Sequence, residues 1–315
     1  MRTDIHQHLW TEPLVAALGE RSELPFVRRE GGLTVLYLAE ERPYVIDRAG
    51  EAPAMRAALV ERDGIDRALV CLSSPLGIEE LPREQAQALI DAYHDGALAL
   101  GEPFGVWGSV ALEEPDPDDV DRVLERGCVG LCLPAGAMAG VDALERVHGV
   151  LARLEERGAP LLVHPGPPRA PGVRRGLAGT SFGEPLWWPA LTSYVAAMQA
   201  AWLAFLASGR TCHPRLRVVF TMLAGLAPLH LERLASRGGP GHRAVDPLLF
   251  YETSSYGPAT AGAIGELVGA GQVLYGSDRP VVDPGERGMP GGLDWDPIVE
   301  GTRRAFDPGT AVLAS

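Results

Sequence analysis

Four residues with side chains suited to binding a metal ion stand where short apolar runs of the sequence end. His6 and His8 close the first run, His164 closes Leu-Leu-Val-His, and Asp278 closes Tyr-Gly-Ser-Asp. A spacing of two residues places His6 and His8 on the same face of a strand, so both imidazoles can bind one ion. Imidazole and carboxylate are common ligands of divalent transition metals. The pattern therefore predicts one divalent metal site, with Asp278 as the catalytic residue that accepts and returns a proton.

The elements that must position these residues follow a regular alternation. Eight runs rich in aliphatic and β-branched residues predict strands, and segments of helical period lie between them. The predicted strands are 3–9, 65–73, 104–112, 130–135, 160–165, 216–225, 248–255 and 273–280, and the predicted helices are 54–63, 83–100, 118–126, 141–157, 191–208, 227–237, 259–269 and 296–305. Alternation of this kind predicts an α/β fold with parallel strands, and eight units predict a (β/α)8 TIM barrel. The carboxyl ends of the strands then meet at one mouth, where the four candidate ligands stand.

The domain organisation follows from the same count. Residues 1–315 are predicted to form a single barrel. More than fifty residues separate the first two predicted strands, and they include short strand-like runs at 33–38 and 44–46. Connections this long are usually functional lids or small additions to the fold. Residues 10–52 are therefore predicted to be an inserted lid or hairpin, with an insertion of no function as the alternative.

Composition excludes several classes of protein. The chain has 28 Lys+Arg against 41 Asp+Glu, a formal net charge of -13, which disfavours binding to nucleic acid. No apolar run approaches the ~20 residues of a membrane span, so no membrane attachment is expected. The four cysteines, Cys71, Cys128, Cys132 and Cys212, are too few and too scattered for a disulfide framework. A cytoplasmic location is expected.

The sequence resembles the amidohydrolase superfamily, in particular the amidohydrolase-related branch that includes aminocarboxymuconate-semialdehyde decarboxylase. The motifs that carry the resemblance span nearly the whole chain: DIHQH at 4–8, VHPG at 163–166, HPRLRVV at 213–219, LERL at 231–234 and LYGSDRP at 274–280. The resemblance implies a distorted barrel with one divalent ion held by His6, His8, His164 and Asp278. Zinc is expected first, with manganese and iron as alternatives.

One position departs from the family pattern. Relatives carry a histidine at the end of the sixth strand, and the matching residue here is Met222, within FTMLAG at 220–225. The resemblance implies that this histidine polarises the substrate or moves a proton. Its replacement predicts a slower enzyme, different chemistry, or an acid/base group supplied by a loop.

Candidates for binding a substrate lie around the same mouth. Besides Met222, Arg169 and Arg279 follow strand ends and could pair with a carboxylate, although solvated loop charge is the alternative. Trp187 could form an aromatic wall for a planar substrate or simply pack its loop. On the seventh predicted strand, Tyr251, Glu252 and Ser254 could reach the mouth and hydrogen-bond to a metal ligand.

Three functions compete on this reading. The leading hypothesis is a metal-dependent hydrolase of an amide, lactone or ester of a small organic acid. The second is a metal-dependent nonoxidative decarboxylase of an aromatic or unsaturated acid, and the third is a non-catalytic barrel that lost activity with its strand-six histidine. No Gly-x-Gly-x-x-Gly opens a helix after a strand, which disfavours a dehydrogenase. A homodimer is compatible with the apolar segments 186–205 and 229–234.

Overall fold

Parallel strands form the frame of the computed structural model, which describes residues 1–39, 41–166, 187–239, 246–254, 256–284 and 292–307. In chain order the strands are β1 (Thr3–Gln7), β2 (Phe26–Glu30), β3 (Leu33–Tyr37), β4 (Tyr44–Ile46), β5 (Arg67–Val70), β6 (Phe104–Val106), β7 (Leu131–Pro134), β8 (Leu161–His164), β9 (Val218–Phe220), β10 (Leu249–Glu252) and β11 (Val273–Leu274). β1 pairs in parallel with β5 and β5 with β6, while β7 to β11 form a second parallel arc.

Backbone hydrogen bonds join the two arcs at both seams. Gly108 bridges to Leu131 on one side, and Gln7 bridges to Arg279 on the other. At the second seam the Ile5 N–H donates to the Tyr275 carbonyl at 2.9 Å. The eight parallel strands of the described chain therefore follow one another around a ring, and the predicted (β/α)8 barrel fold is confirmed.

Helices cover the outside of the ring. They are α1 (Glu12–Gly19), α2 (Pro53–Arg62), α3 (Arg83–Leu98), α4 (Pro117–Glu125), α5 (Val141–Glu156), α6 (Trp188–Leu191), α7 (Ser193–Ala204), α8 (Arg210–Cys212), α9 (Met222–Gly225), α10 (Leu231–Ser236), α11 (Pro258–Val268) and α12 (Trp295–Phe306). Local sequence explains several boundaries. The Asp116 side chain accepts a hydrogen bond from the Asp118 N–H at the start of α4, and Gly127 and Gly158 follow α4 and α5 with φ of +104° and +61°.

The centre of the ring is filled by one side chain from each barrel strand or its immediate end. These side chains form a buried cluster, namely Ile5, Leu69, Trp107, Cys132, Leu162, Val219, Phe250 and Leu274, and Cys71 after β5 and Ala305 of α12 also belong to it. Trp107 adds a hydrogen bond from its Nε1 to the Ile5 carbonyl at 2.8 Å. The barrel is therefore a packed core whose strands present polar residues at their carboxyl ends.

The connection between β1 and β5 contains more structure than the two short runs predicted there. β2, β3 and β4 form an antiparallel sheet, and α1 precedes it. Val27, Leu36 and Ile46 of this sheet are buried in the same hydrophobic cluster as Trp10, which follows β1. The small sheet therefore packs on the barrel next to β1, the strand that carries His6.

One long helical segment is more apolar than the sequence analysis expected of any part of the chain. Trp188–Cys212, which includes α6 to α8, is long and apolar enough to cross a membrane by length and composition alone, with a hydropathy of 1.4 over its most apolar stretch. In the structure its side chains Met198, Trp202 and Phe205 are buried, and Trp202 Nε1 donates to Tyr251 Oη at 3.1 Å. This helical segment therefore packs against the barrel through its buried side chains.

Candidate functional site

The structure brings the four predicted metal ligands to one point at the carboxyl ends of the strands. The Nε2 atoms of His6 and His8 are 3.3 Å apart, and those of His8 and His164 are 3.2 Å apart. Asp278 Oδ1 lies 3.3 Å from His8 Nε2 and 3.7 Å from His6 Nε2. The three histidines are almost fully buried, so their nitrogens are directed at each other and away from bulk water.

Each imidazole is oriented by a hydrogen bond through its other nitrogen. His8 Nδ1 lies 3.0 Å from the Cys71 carbonyl, and His164 Nδ1 lies 2.6 Å from the Pro165 carbonyl. Since a carbonyl oxygen only accepts, Nδ1 carries the hydrogen in both rings and Nε2 keeps its lone pair. His6 Nδ1 faces the Glu252 carboxylate at 3.1 Å, which selects the same tautomer.

Three lone pairs directed at one point fit a bound cation. Without one they would repel each other in a buried place, whereas tetrahedral zinc with bonds of 2.0–2.1 Å separates its nitrogen ligands by about 3.3 Å. Glu252 and Asp278 add carboxylate charge beside the imidazoles. Three nitrogens and one carboxylate oxygen form a donor set that suits zinc, manganese or iron.

The two ends of the cluster differ in their affinity for a proton. Burial alone would lower the pKa of His6, but the Glu252 carboxylate, followed by Asp278 and Asp4, outweighs it and the pKa is raised. Burial, together with the charges of His6 and His8, holds the pKa of His164 well below its usual value. Glu252 therefore makes the His6 side of the cluster the side that favours positive charge.

Two of the three residues predicted on the seventh barrel strand support His6. Glu252 at the end of β10 contacts His6 Nδ1, and Ser254 Oγ lies 2.7 Å from the same nitrogen. Gly276 makes room for this arrangement, because a Cβ added there would lie 2.1 Å from Glu252 Oε1. Tyr251 points elsewhere and accepts the hydrogen bond of Trp202.

Asp278 is held in an uncommon backbone conformation. Its φ is +61°, in the left-handed region, which costs roughly 1–2 kcal/mol for a residue with a side chain. The Asp278 N–H donates to the His6 carbonyl at 2.9 Å, and the Ser277 N–H donates to the buried Asp4 carboxylate at 3.0 Å. These bonds to β1 compensate the strain and fix the carboxylate beside the histidines.

A buried ion pair anchors the chain after β1. Arg56 on α2 donates to the His8 carbonyl at 2.8 Å, to Gln7 Oε1 at 2.7 Å and to Glu51 at 3.0 Å. Glu51 in turn accepts from the Trp10 N–H at 3.2 Å. The pair therefore links the connection that carries the small sheet to the strand that carries His6 and His8.

One further side chain, which was not among the predicted ligands, adjoins the three histidines. Cys71 follows β5, and its Sγ lies within 4.8 Å of a ring nitrogen of each of the three histidines. It contacts His8 on the Nδ1 side, at 3.6 Å, away from the converging Nε2 atoms. Burial raises the pKa of the Cys71 thiol well above its usual value, which favours the protonated thiol. The strand-end rule that selected His164 would also have selected Cys71.

A cavity of about 240 Å³ opens onto His8, His164 and Asp278. Its walls are mostly apolar and come from the small sheet, from α6 and α7 and from the ends of strands. Among the described residues that line it are Trp10, Leu36, Tyr44, Leu191, Tyr194 and Tyr256, and none is Lys or Arg. A larger cleft of about 540 Å³ between α3 and α4 shares no residue with the cluster, and its arginines are paired with aspartates.

The predicted substrate-binding residues do not all lie at the cavity. Met222 lines the cavity. Arg279 is not among the lining residues and pairs with Asp63 at 2.9 Å and Asp283 at 3.0 Å. Trp187 is 55% exposed beside Trp188, and Arg169 lies outside the described residues.

The short segment α9, which begins at Met222, is a left-handed turn and not a right-handed helix, and it lies where a longer strand was predicted. β9 ends at Phe220, and Met222, Leu223, Ala224, Gly225 and Leu226 all have φ between +49° and +63°. Left-handed backbone costs roughly 1–2 kcal/mol for each residue with a Cβ, so this turn is held by its surroundings. Gly225 is required for space as well, since a Cβ there would lie 2.9 Å from the Val195 carbonyl.

Comparisons with solved structures show what this fold is similar to. IDCase of Metarhizium anisopliae is 16% identical, with a TM-score of 0.70 over 99% of this chain and 93% of that chain. 5-Carboxyvanillate decarboxylase LigW of Sphingomonas paucimobilis is 17% identical, with a TM-score of 0.68 over 97% and 98%. The 5-carboxyvanillate decarboxylase of Novosphingobium aromaticivorans, complexed with manganese and 4-hydroxy-3-methoxy-5-nitrobenzoic acid, is 16% identical, with a TM-score of 0.61 over 89% and 86%.

Other structural neighbours are described as amidohydrolases, in agreement with the resemblance seen in the sequence. At these identities the likeness shows the fold. A scan against protein-family models and a search of curated proteins found no match.

Proposed function

We propose that this protein is a metal-dependent enzyme that removes the carboxylate of an aromatic or unsaturated acid without oxidation. The observation that carries the proposal is the apolar cavity that opens onto His8, His164 and Asp278, two of the three convergent imidazoles and the carboxylate. A cavity of about 150 Å³ holds benzene, so about 240 Å³ suits a single substituted ring. Decarboxylases among the neighbours of the same fold support this reading.

His6, His8, His164 and Asp278 would hold the metal ion. Once bound, the ion supplies positive charge that attracts a carboxylate substrate and polarises it. Zinc stays the first expectation from the donor set, and manganese is supported by its presence in one neighbour.

Asp278 is the group that can move a proton at this site. Its side chain is 18% exposed, whereas those of His6 and His8 are 1% and 3% exposed, so it is more accessible from the cavity than either of these two imidazoles. When the bond between ring carbon and carboxylate breaks, the electron pair stays on the carbon, which takes a proton from the Asp278 carboxyl as carbon dioxide leaves. Solvent then returns a proton to Asp278.

The apolar wall favours this reaction over the one ranked first from sequence. Loss of carbon dioxide turns a charged substrate into a neutral product, and a cavity with little polar surface favours the neutral species. Hydrolysis stays the second candidate, because Asp278 is also positioned to accept a proton from a water molecule at the cluster. The intact cluster disfavours a barrel without activity.

The test uses hydroxylated benzoic acids, including 2,6-dihydroxybenzoate, with protein that is stripped by a chelator and reloaded with Zn²⁺ or Mn²⁺. We expect metal-dependent release of carbon dioxide, and a loss of ~10²–10⁴-fold in turnover for Asp278→Asn. Asp283→Asn is the matched control, since that side chain is 72% exposed. Hydrolysis of amide or ester analogues with uptake of ¹⁸O from water, and no carbon dioxide, would replace the proposal by its alternative.

A further inference from the structure

The small sheet contributes one acidic side chain to the cavity. Glu41, between β3 and β4, lines the cavity together with His8, His164 and Asp278. Tyr194 on α7 donates a hydrogen bond from its hydroxyl to Glu41 Oε1, which joins the small sheet to the helix across 153 positions of sequence. Glu41 is therefore held at the cavity surface by a fixed partner.

The charges around the cavity differ between its two sides. At the strand ends, a bound ion would attract the carboxylate of a substrate. On the side of the small sheet and α7, the described lining residues offer the Glu41 carboxyl and the hydroxyls of Tyr44 and Tyr194, with no cationic side chain. Glu41 is partly buried, and burial raises its pKa because these surroundings disfavour negative charge.

A ligand that fills the cavity must satisfy both sides. A second carboxylate on the ligand would lie beside the like charge of Glu41 at a place with little water. Repulsion of this kind is a common way for a binding site to reject a wrong ligand. A hydroxyl or amine would instead donate a hydrogen bond to Glu41 and leave no buried polar group unpaired.

We infer that Glu41, held by Tyr194, determines the charge of the substrate. The cavity takes a single-ring acid with one carboxylate at the strand-end cluster and a hydrogen-bond donor at the other end, and it rejects a second carboxylate there. The inference rests on the proposed function for the place of the first carboxylate.

The test is binding measured by calorimetry to Zn²⁺-loaded protein at pH 8, which requires no turnover. The probes are 4-aminobenzoate, 4-carbamoylbenzoate and benzene-1,4-dicarboxylate, of which the last two have the same shape and differ by one charge. For the wild-type protein we expect 4-carbamoylbenzoate to bind at least tenfold more tightly than the dicarboxylate. For Glu41→Gln we expect the two affinities to agree within about threefold.

A matched control lies on the same sheet. Glu30 on β2 accepts a hydrogen bond from Tyr37 at 2.7 Å, as Glu41 does from Tyr194, but it does not line the cavity. Glu30→Gln removes the same charge and should keep the tenfold preference. Tyr194→Phe, which keeps the charge but frees the carboxylate, should give an intermediate preference and serves if Glu41→Gln does not fold.

Three results would overturn the inference. They are equal affinity of the wild-type protein for the two matched probes, a preference that survives Glu41→Gln, and no binding of any probe. Release of carbon dioxide is assayed separately. A protein that shows the charge preference but releases no carbon dioxide keeps this inference and loses the proposed decarboxylase activity.

Discussion

A buried carboxyl below the cavity wall predicts how the stability of this protein depends on pH. Glu79 is fully buried, and neither of its carboxyl oxygens makes a hydrogen bond of good geometry within the described chain. Burial raises its pKa from 4.5 to about 8. The segment just before it supplies Ser73, Pro75 and Leu76 to the cavity. Glu79 is therefore neutral in the folded protein at pH 7, whereas it is ionised in the unfolded chain.

The sign and size of the effect follow from that difference. Below pH 4.5 the carboxyl is protonated in both states and contributes no pH dependence. From there to about pH 8, unfolding releases a proton, so the folded state loses about 1.4 kcal/mol per pH unit. Over 3.5 units the total is about 5 kcal/mol, the difference between 8 and 4.5 multiplied by that slope. With about 2.1 cal/mol/K of unfolding entropy per residue over 315 residues, this corresponds to roughly 7 °C in Tm.

Glu79→Gln removes the titration and keeps the shape of the side chain. Both proteins are unfolded thermally at pH 5, 6, 7, 8 and 9. A chelator is present throughout, so that pH-dependent loss of a metal ion does not contribute to Tm. As the pH rises, the Tm of the variant should exceed that of the wild-type protein by a margin that grows by several degrees. Glu84→Gln, at an exposed position of α3, controls for the loss of one charge and should show no such growth. Parallel Tm curves for Glu79→Gln and the wild-type protein would refute the reasoning.

Two further predictions concern the supports of the metal site. In Gly276→Ala the new Cβ would lie 2.1 Å from Glu252 Oε1 and displace that carboxylate from His6, so Zn²⁺ affinity measured by competition with a chelator should fall about 10–100-fold; unchanged affinity would contradict the role given to Glu252. Arg56→Met leaves Glu51 buried without its cation and should cost about 3–5 kcal/mol in the free energy of unfolding. Adding Glu51→Gln to Arg56→Met should recover part of that loss. If the double variant instead loses the sum of the free energies lost by the two single variants, the residues act independently.

Much of the barrel could be predicted from local patterns. All eight predicted barrel strands occur, because an apolar run followed by an amphipathic segment has few other ways to bury its side chains. The ends were less accurate: the sixth run was predicted to continue to Gly225, but the strand ends at Phe220 before a left-handed turn. That turn has only one glycine among its five residues, so its backbone is determined by packing and leaves little trace in the sequence.

Local features of the sequence were enough to predict which side chains could meet at the mouth of the barrel. Strand ends and a spacing of two are local properties, and they were enough to select His6, His8, His164 and Asp278. Most of the residues that surround these four side chains could be identified only from the folded structure. Arg279 follows Asp278 yet pairs with Asp63, and Glu41 reaches the cavity from a connection whose sequence has no barrel period. Such contacts join residues far apart in the chain, and their geometry depends on how separate elements pack against one another.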